Sequence, residues 1–191
     1  MERPDPLRPD DPPHLFDPDA LPGHTEVTST VPDLPADEVR LVLDGLPRAD
    51  GYAIHVTPLR YREKPHLSAW TNFDEHTITI QIPEPFFPFG EIVPYAAKRR
   101  PGRSKKLRFI WLTEGITFRT PRDVVRFLYC HEWMHWYLRE RLGRKSSAET
   151  ACDRFALRNY RRRVPVTEED ARLALRRKRD DDLAGLREGE D

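Results

Sequence analysis

Residues 120–160 read TPRDVVRFLYCHEWMHWYLRERLGRKSSAETACDRFALRNY. Thr120 is a good helix N-cap, and Pro121 suits the first helical position, where its missing N–H costs nothing. Gly143 offers a left-handed exit, so the pattern predicts a helix of about six turns from Pro121 to Leu142. Within it lie His131, Glu132 and His135, an H-E-x-x-H. Residues four apart on a helix are separated by about 40° and roughly 6 Å of rise. The two imidazoles therefore point the same way and can share one metal ion. Glu132 lies about 100° round from His131, where it reaches a water on that metal more easily than the metal itself. Zinc hydrolysis needs that arrangement.

A blander explanation exists. Val124, Phe127, Leu128, Leu138 and Leu142 lie on the same side of the wheel, so both histidines occupy an apolar stripe. A single histidine there is more often a hydrogen-bonded core residue. Two at i and i+4, with Glu between them, favour a metal, because burying two polar rings costs free energy unless something satisfies them. Val125, Tyr129, Trp133 and Trp136 make the opposite side apolar as well, which predicts a helix covered on both sides.

A catalytic zinc takes three protein ligands and leaves a fourth place for water. Ser146-Ser147-Ala148-Glu149 opens a second helix, predicted to run to about Arg163. Glu149, Cys152, Asp153, Ala156 and Tyr160 fall on one face of it. Helices joined by a short turn pack face to face, which returns Glu149 to His131 and His135. Against this, Ser146-x-x-Glu149 is also a capping-box pattern. Asp153, one turn on, is the rival ligand, or a carboxylate that holds the N–H of a ligand ring.

H-E-x-x-H followed by Glu on the next helix resembles the gluzincin metallopeptidases. Glu149-Thr-Ala-Cys-Asp-Arg-Phe-Ala is similar to the E-x-x-A-[N/D]-x-F-A segment of the compact gluzincins that include the ImmA/IrrE proteins. The resemblance implies zinc (Zn2+) held by His131, His135 and Glu149, with Glu132 as general base. It also implies an α+β, zincin-like fold: a small, mostly antiparallel sheet of three to four strands packed on the two motif helices. Cys152 stands where that family usually has Ala, and the His135-to-Glu149 gap is short. The match covers about forty residues of the 191.

The chain carries 32 Lys and Arg against 32 Asp and Glu, so its overall charge points to no nucleic-acid partner. The N-terminus MERPDPLRPD is neither apolar nor basic enough for a signal peptide, and no run approaches membrane-spanning length. Two cysteines, Cys130 and Cys152, fit a reducing cytoplasm, and a buried apolar role suits each. Cys130 is a further, less suitable, thiolate ligand for the metal.

Residues 1–32 hold eight prolines and no periodicity, and read as a disordered arm preceding a metallopeptidase domain over 33–165. A short helix is predicted over about 35–46. Tyr52–Thr57, His66–Phe73 and Thr77–Ile82 read as strands, with Asp74-Glu75-His76 turning the last two into a hairpin. Leu107–Leu112 is a fourth strand candidate. His66–Trp70 is the best candidate for an edge strand that adds a substrate backbone to the sheet. His55 and His66 are candidate transition-state donors, although an ordinary surface or core role is common for such residues. Residues 166–191 read as a charged helix and solvated tail.

Residues 83–108 read as a long loop, aromatic and Pro-rich at first, with seven cations in the eleven residues 98–108. Such a loop is either a solvated insertion or a contact for nucleic acid or an acidic partner. Three functions follow. The first is a zinc metallopeptidase hydrolysing a peptide or protein through a zinc-bound water activated by Glu132. The alternative is a zinc-stabilised binding protein acting on nucleic acid or a protein partner through 98–108. SprT-type DNA-associated metallopeptidases resemble the chain only in H-E-x-x-H and a basic neighbourhood, since their further His ligand is missing here. The third is a helical interaction module without metal.

Overall fold

The computed structural model describes residues 26–100, 108–145 and 148–184. Elements follow in the order β1 (Val27–Ser29), α1 (Ala36–Val42), β2 (Ala53–Leu59), β3 (Ser68–Asn72), β4 (Thr77–Pro83), β5 (Phe89–Arg100), β6 (Arg108–Phe118), α2 (Pro121–Trp136), α3 (Glu149–Asn159) and α4 (Glu168–Ala184). The class is α+β, with a four-stranded sheet and a separate two-stranded one.

The four-stranded sheet has the order β1-β2-β4-β3. β1 and β4 both run parallel to β2, and only the β3–β4 pair is antiparallel. The sheet is therefore mixed, and the expectation of a mostly antiparallel one is corrected. The cause is placement: β3 and β4 form the predicted hairpin, but β4 inserts between β3 and β2, so β2 and β4 run the same way. Val27–Ser29 also corrects the disordered arm, which yields a strand at its end; residues 1–25 lie outside the described residues. β3 is an edge strand, as expected for His66–Trp70, although pairing starts only at Ser68.

Alternation sorts the sheet's faces. Ile54, Val56, Ile78, Ile80 and Ile82 are all buried and form the inner face. His55, Thr79 and the half-exposed Trp70 share the outer one. α2 lies in the core with Val124, Val125, Phe127, Leu128, Trp133 and Met134 buried around its circumference, so it is covered on both sides. Trp133 stacks on Phe155 of α3 at 5.1 Å between ring centroids, which locks the two motif helices together. Arg126 donates to the carbonyls of Val42 (2.5 Å), Asp44 (3.1 Å), Tyr160 (2.6 Å) and Arg162 (3.0 Å), tying α2 to the ends of α1 and α3.

Within the expected loop 83–108, residues 89–100 form a strand. β5 and β6 pair antiparallel from Phe89–Phe118 out to Arg100–Arg108, making a long two-stranded ribbon. The fourth strand candidate is thus real but belongs to this ribbon, and residues 101–107 lie outside the described residues. The tail is corrected in part. Val166, Ala171 and Ala174 are fully buried, so the first turns of α4 belong to the core, while 185–191 lie outside the described residues.

Candidate metal centre

α2 starts where the sequence predicts. Thr120 and Asp123 form a reciprocal cap: the Asp123 N–H donates to Thr120 Oγ1 and the Thr120 N–H to Asp123 Oδ2, both at 3.2 Å. The α-helix ends sooner than Leu142, at Trp136, and a π-helical turn over Tyr137–Arg141 follows. Gly143, at φ +61°, supplies the left-handed exit. Ala148 is also left-handed, at φ +44°, and α3 starts directly after it. The chain reverses so that the first residue of α3 faces the middle of α2. Ser146 and Ser147, the other half of the possible capping box, lie outside the described residues.

Glu149 Oε2 stands 3.3 Å from His131 Nε2 and 3.5 Å from His135 Nε2, and the two Nε2 atoms are 3.1 Å apart. Three donors held at about 2.0–2.1 Å by a tetrahedral zinc lie about 3.3–3.4 Å from one another. The triangle thus has the size of one face of a metal tetrahedron. His131, His135 and Glu149 can hold a metal ion. Glu149 is 60 % exposed, so the donor triangle is not sealed from solvent on its side.

Asp153 stands outside the donor triangle. Its Oδ1 accepts from His131 Nδ1 at 2.8 Å, which leaves Nε2 as the ring nitrogen that faces Glu149 and His135. Cys152 is more than packing: its sulfur lies 3.6 Å from His135 Nδ1, the corresponding atom of the other ring. Cys130 is fully buried, outside the group of converging donors, and burial pushes its thiol up to about 12.

Charge follows this geometry. Burial works against a charged His131, but hydrogen bonds to Asp153 and Glu149, with Glu132 nearby, push it up to about 10. Burial and the neighbouring His131 lower His135. Hydrogen bonding to His131 lowers Glu149 and keeps it a carboxylate.

Glu132 is 5 % exposed and is not one of the three grouped donors, although its charge acts on both histidines. Its Oε2 accepts from Thr71 Oγ1 at 2.7 Å. Thr71 lies opposite Ile78 on the inner face of β3, so strand alternation aims its hydroxyl at α2. Sequence reasoning missed Thr71, since one threonine in a strand carries no local signal. His55 is removed as a donor: it sits on the outer face, its Nδ1 2.7 Å from the Thr28 hydroxyl. His66 lies on the side of α2, lining a cavity with Phe127 and Asp153. The chain matches no protein-family model, no curated protein and no solved structure.

Proposed function

We propose that the protein is a zinc-dependent metallopeptidase of the gluzincin type, with His131, His135 and Glu149 as ligands and Glu132 as general base. The observation that carries this reading is the placement of Glu132: a buried carboxylate beside a three-donor site, excluded from the donor set and held by Thr71. A purely structural zinc site is closed by four protein ligands, and among the described residues three donors converge here. When bound, zinc supplies Lewis acidity, polarising the scissile carbonyl and lowering the pKa of a water to about 7.

The protein's own residues do the rest. Asp153 keeps His131 in the tautomer that binds, and Thr71 fixes the Glu132 carboxylate. Glu132 takes the proton of the attacking water and passes it to the leaving amine. The free edge of β3 offers main-chain donors and acceptors to an extended peptide. Among the described residues no helix is long and apolar enough to cross a membrane.

Glu132→Gln tests the reading. Gln keeps the size and a hydrogen-bond acceptor but cannot take the proton. Zinc content and fold should persist while peptide hydrolysis falls by about 10²–10⁴. Equal cleavage of a peptide library by the two zinc-loaded proteins removes Glu132 from the mechanism. Cleavage by neither leaves a binding protein with a structural metal. One observation favours that second reading: the β5–β6 register brings Lys98, Arg99, Arg100 and Arg108 to one end of the ribbon, with Trp111 57 % exposed nearby.

A further inference from the structure

Between His66 and Leu67 just ahead of β3, the stretch Glu91–Pro94 of β5, Phe127 of α2 and Asp153 of α3 lies an open recess of about 320 Å³. Ligand pockets run from about 300 to 1,000 Å³, so this one suits a single side chain or chain end better than a cofactor. Asp153, which holds His131, lies on its wall, and Phe127, one turn before His131, lies on another. The cavity therefore borders the metal centre.

Polar and apolar groups share the lining: Phe127 and Val93 are buried at 2 % and 5 % exposure, Leu67 is half-buried beside them, and Ile92 is exposed at the rim. Glu91 adds a charge. Strand alternation puts it on the same face of β5 as Phe89 and Val93, both buried. It is half-buried, lines the cavity, and has no hydrogen-bond or ion-pair partner among the described residues. The other polar groups on the walls are engaged: Asp153 with His131, and His66 Nδ1 with the Lys64 carbonyl at 3.4 Å. Arg154 anchors this strand from α3, its Nε donating to the Tyr95 carbonyl at 3.0 Å, so the position of Glu91 is built into the fold. A carboxylate turned into a partly apolar recess loses hydration and gains by meeting a cation.

We infer that this cavity is a specificity pocket for the cationic group of a peptide, its apolar walls taking the stem and Glu91 the charge. Its role in hydrolysis rests on the metallopeptidase reading; its role in binding does not. Two sources supply such a cation: a Lys or Arg side chain, or the free α-amine at the end of a chain. Three peptides of one length separate them. The first is acetylated and carries Lys, the second is acetylated and carries norleucine, and the third carries norleucine with its α-amine free.

Binding is measured by titration calorimetry on the full-length, zinc-loaded Glu132→Gln protein, and cleavage on the wild type. One charged peptide should bind at least about tenfold tighter than the neutral one, and that margin should vanish when Glu91→Gln is added. Gln is isosteric, and an unchanged melting temperature shows that the fold is kept. The pocket is overturned if all three peptides bind alike or not at all, or if the preference survives Glu91→Gln. A preference in binding without cleavage of any peptide sinks the peptidase reading and leaves the pocket standing. Cleavage of all three at equal rates does the reverse.

Discussion

Thr71 and Glu132 meet across 61 residues of sequence, the threonine hydroxyl 2.7 Å from the carboxylate of the H-E-x-x-H motif. The same hydroxyl lies 3.3 Å from the Glu132 carbonyl, so an edge strand is fastened to α2 beside the proposed general base. Thr71→Val keeps the shape and removes the donor. A hydrogen bond to a charged group is worth about 1.5–3 kcal/mol, so kcat/KM should fall by about 10- to 100-fold. Thr71→Ser should restore most of it, and zinc content should be full in both. Wild-type kinetics in the Val variant would reduce the contact to packing.

Metal binding should release protons, and the ligand environment says how many. His131 is pushed up to about 10, so it holds a proton at neutral pH that the ion must displace. His135 and Glu149 are both lowered, so above the ordinary histidine range neither holds a proton for the ion to displace. A raised pKa favours the protonated competitor, so apparent affinity should rise with pH until His131 titrates, by about one log unit per pH unit. Calorimetry in buffers of different ionisation enthalpy, at about pH 7.5, should give roughly one proton per ion. Two protons would mean that His135 is charged as well. Asp153→Asn should weaken binding by about 10- to 100-fold, since the Nδ1 contact orients the ring.

The ribbon reading has its own test. If the cations at the end of β5–β6 contact duplex nucleic acid, log affinity should fall with log salt by about 0.9 for each phosphate neutralised. Reversal of Arg99 and Arg100 to Glu should reduce both affinity and slope. Binding that ignores salt, or survives the reversal, removes nucleic acid as a partner of this element.

What could be read in advance was local. His131, His135 and Glu149 lie within one helix–turn–helix, so helical periodicity and a single glycine stop brought them together on paper. The β3–β4 hairpin was legible for the same reason: alternating Ile residues and a short turn lie side by side in sequence. β5 was hidden because Pro94 sits inside it, where the pairing register shifts, and a proline ordinarily argues against a strand. β1 is only three residues long, and its parallel pairing with β2 is a property of the assembled sheet. Thr71 and Glu91 act across the fold, from strands remote in sequence from α2, and no spacing rule reaches that far.

The split between near and distant contacts bears on the order of folding. The metal donors span 18 residue steps, from His131 to Glu149, a short loop to close. The sheet is slower by its nature, because β4 must find a parallel place beside β2, and long-range pairing forms late. A refolding chain is therefore predicted to capture metal before Thr71 has reached Glu132. In stopped-flow refolding, a cobalt absorption signal should precede recovery of peptidase activity, and simultaneous appearance would show that the sheet and the helices form as one unit. If the order holds, the nascent protein passes through a stage that grips its ion but does not yet cut.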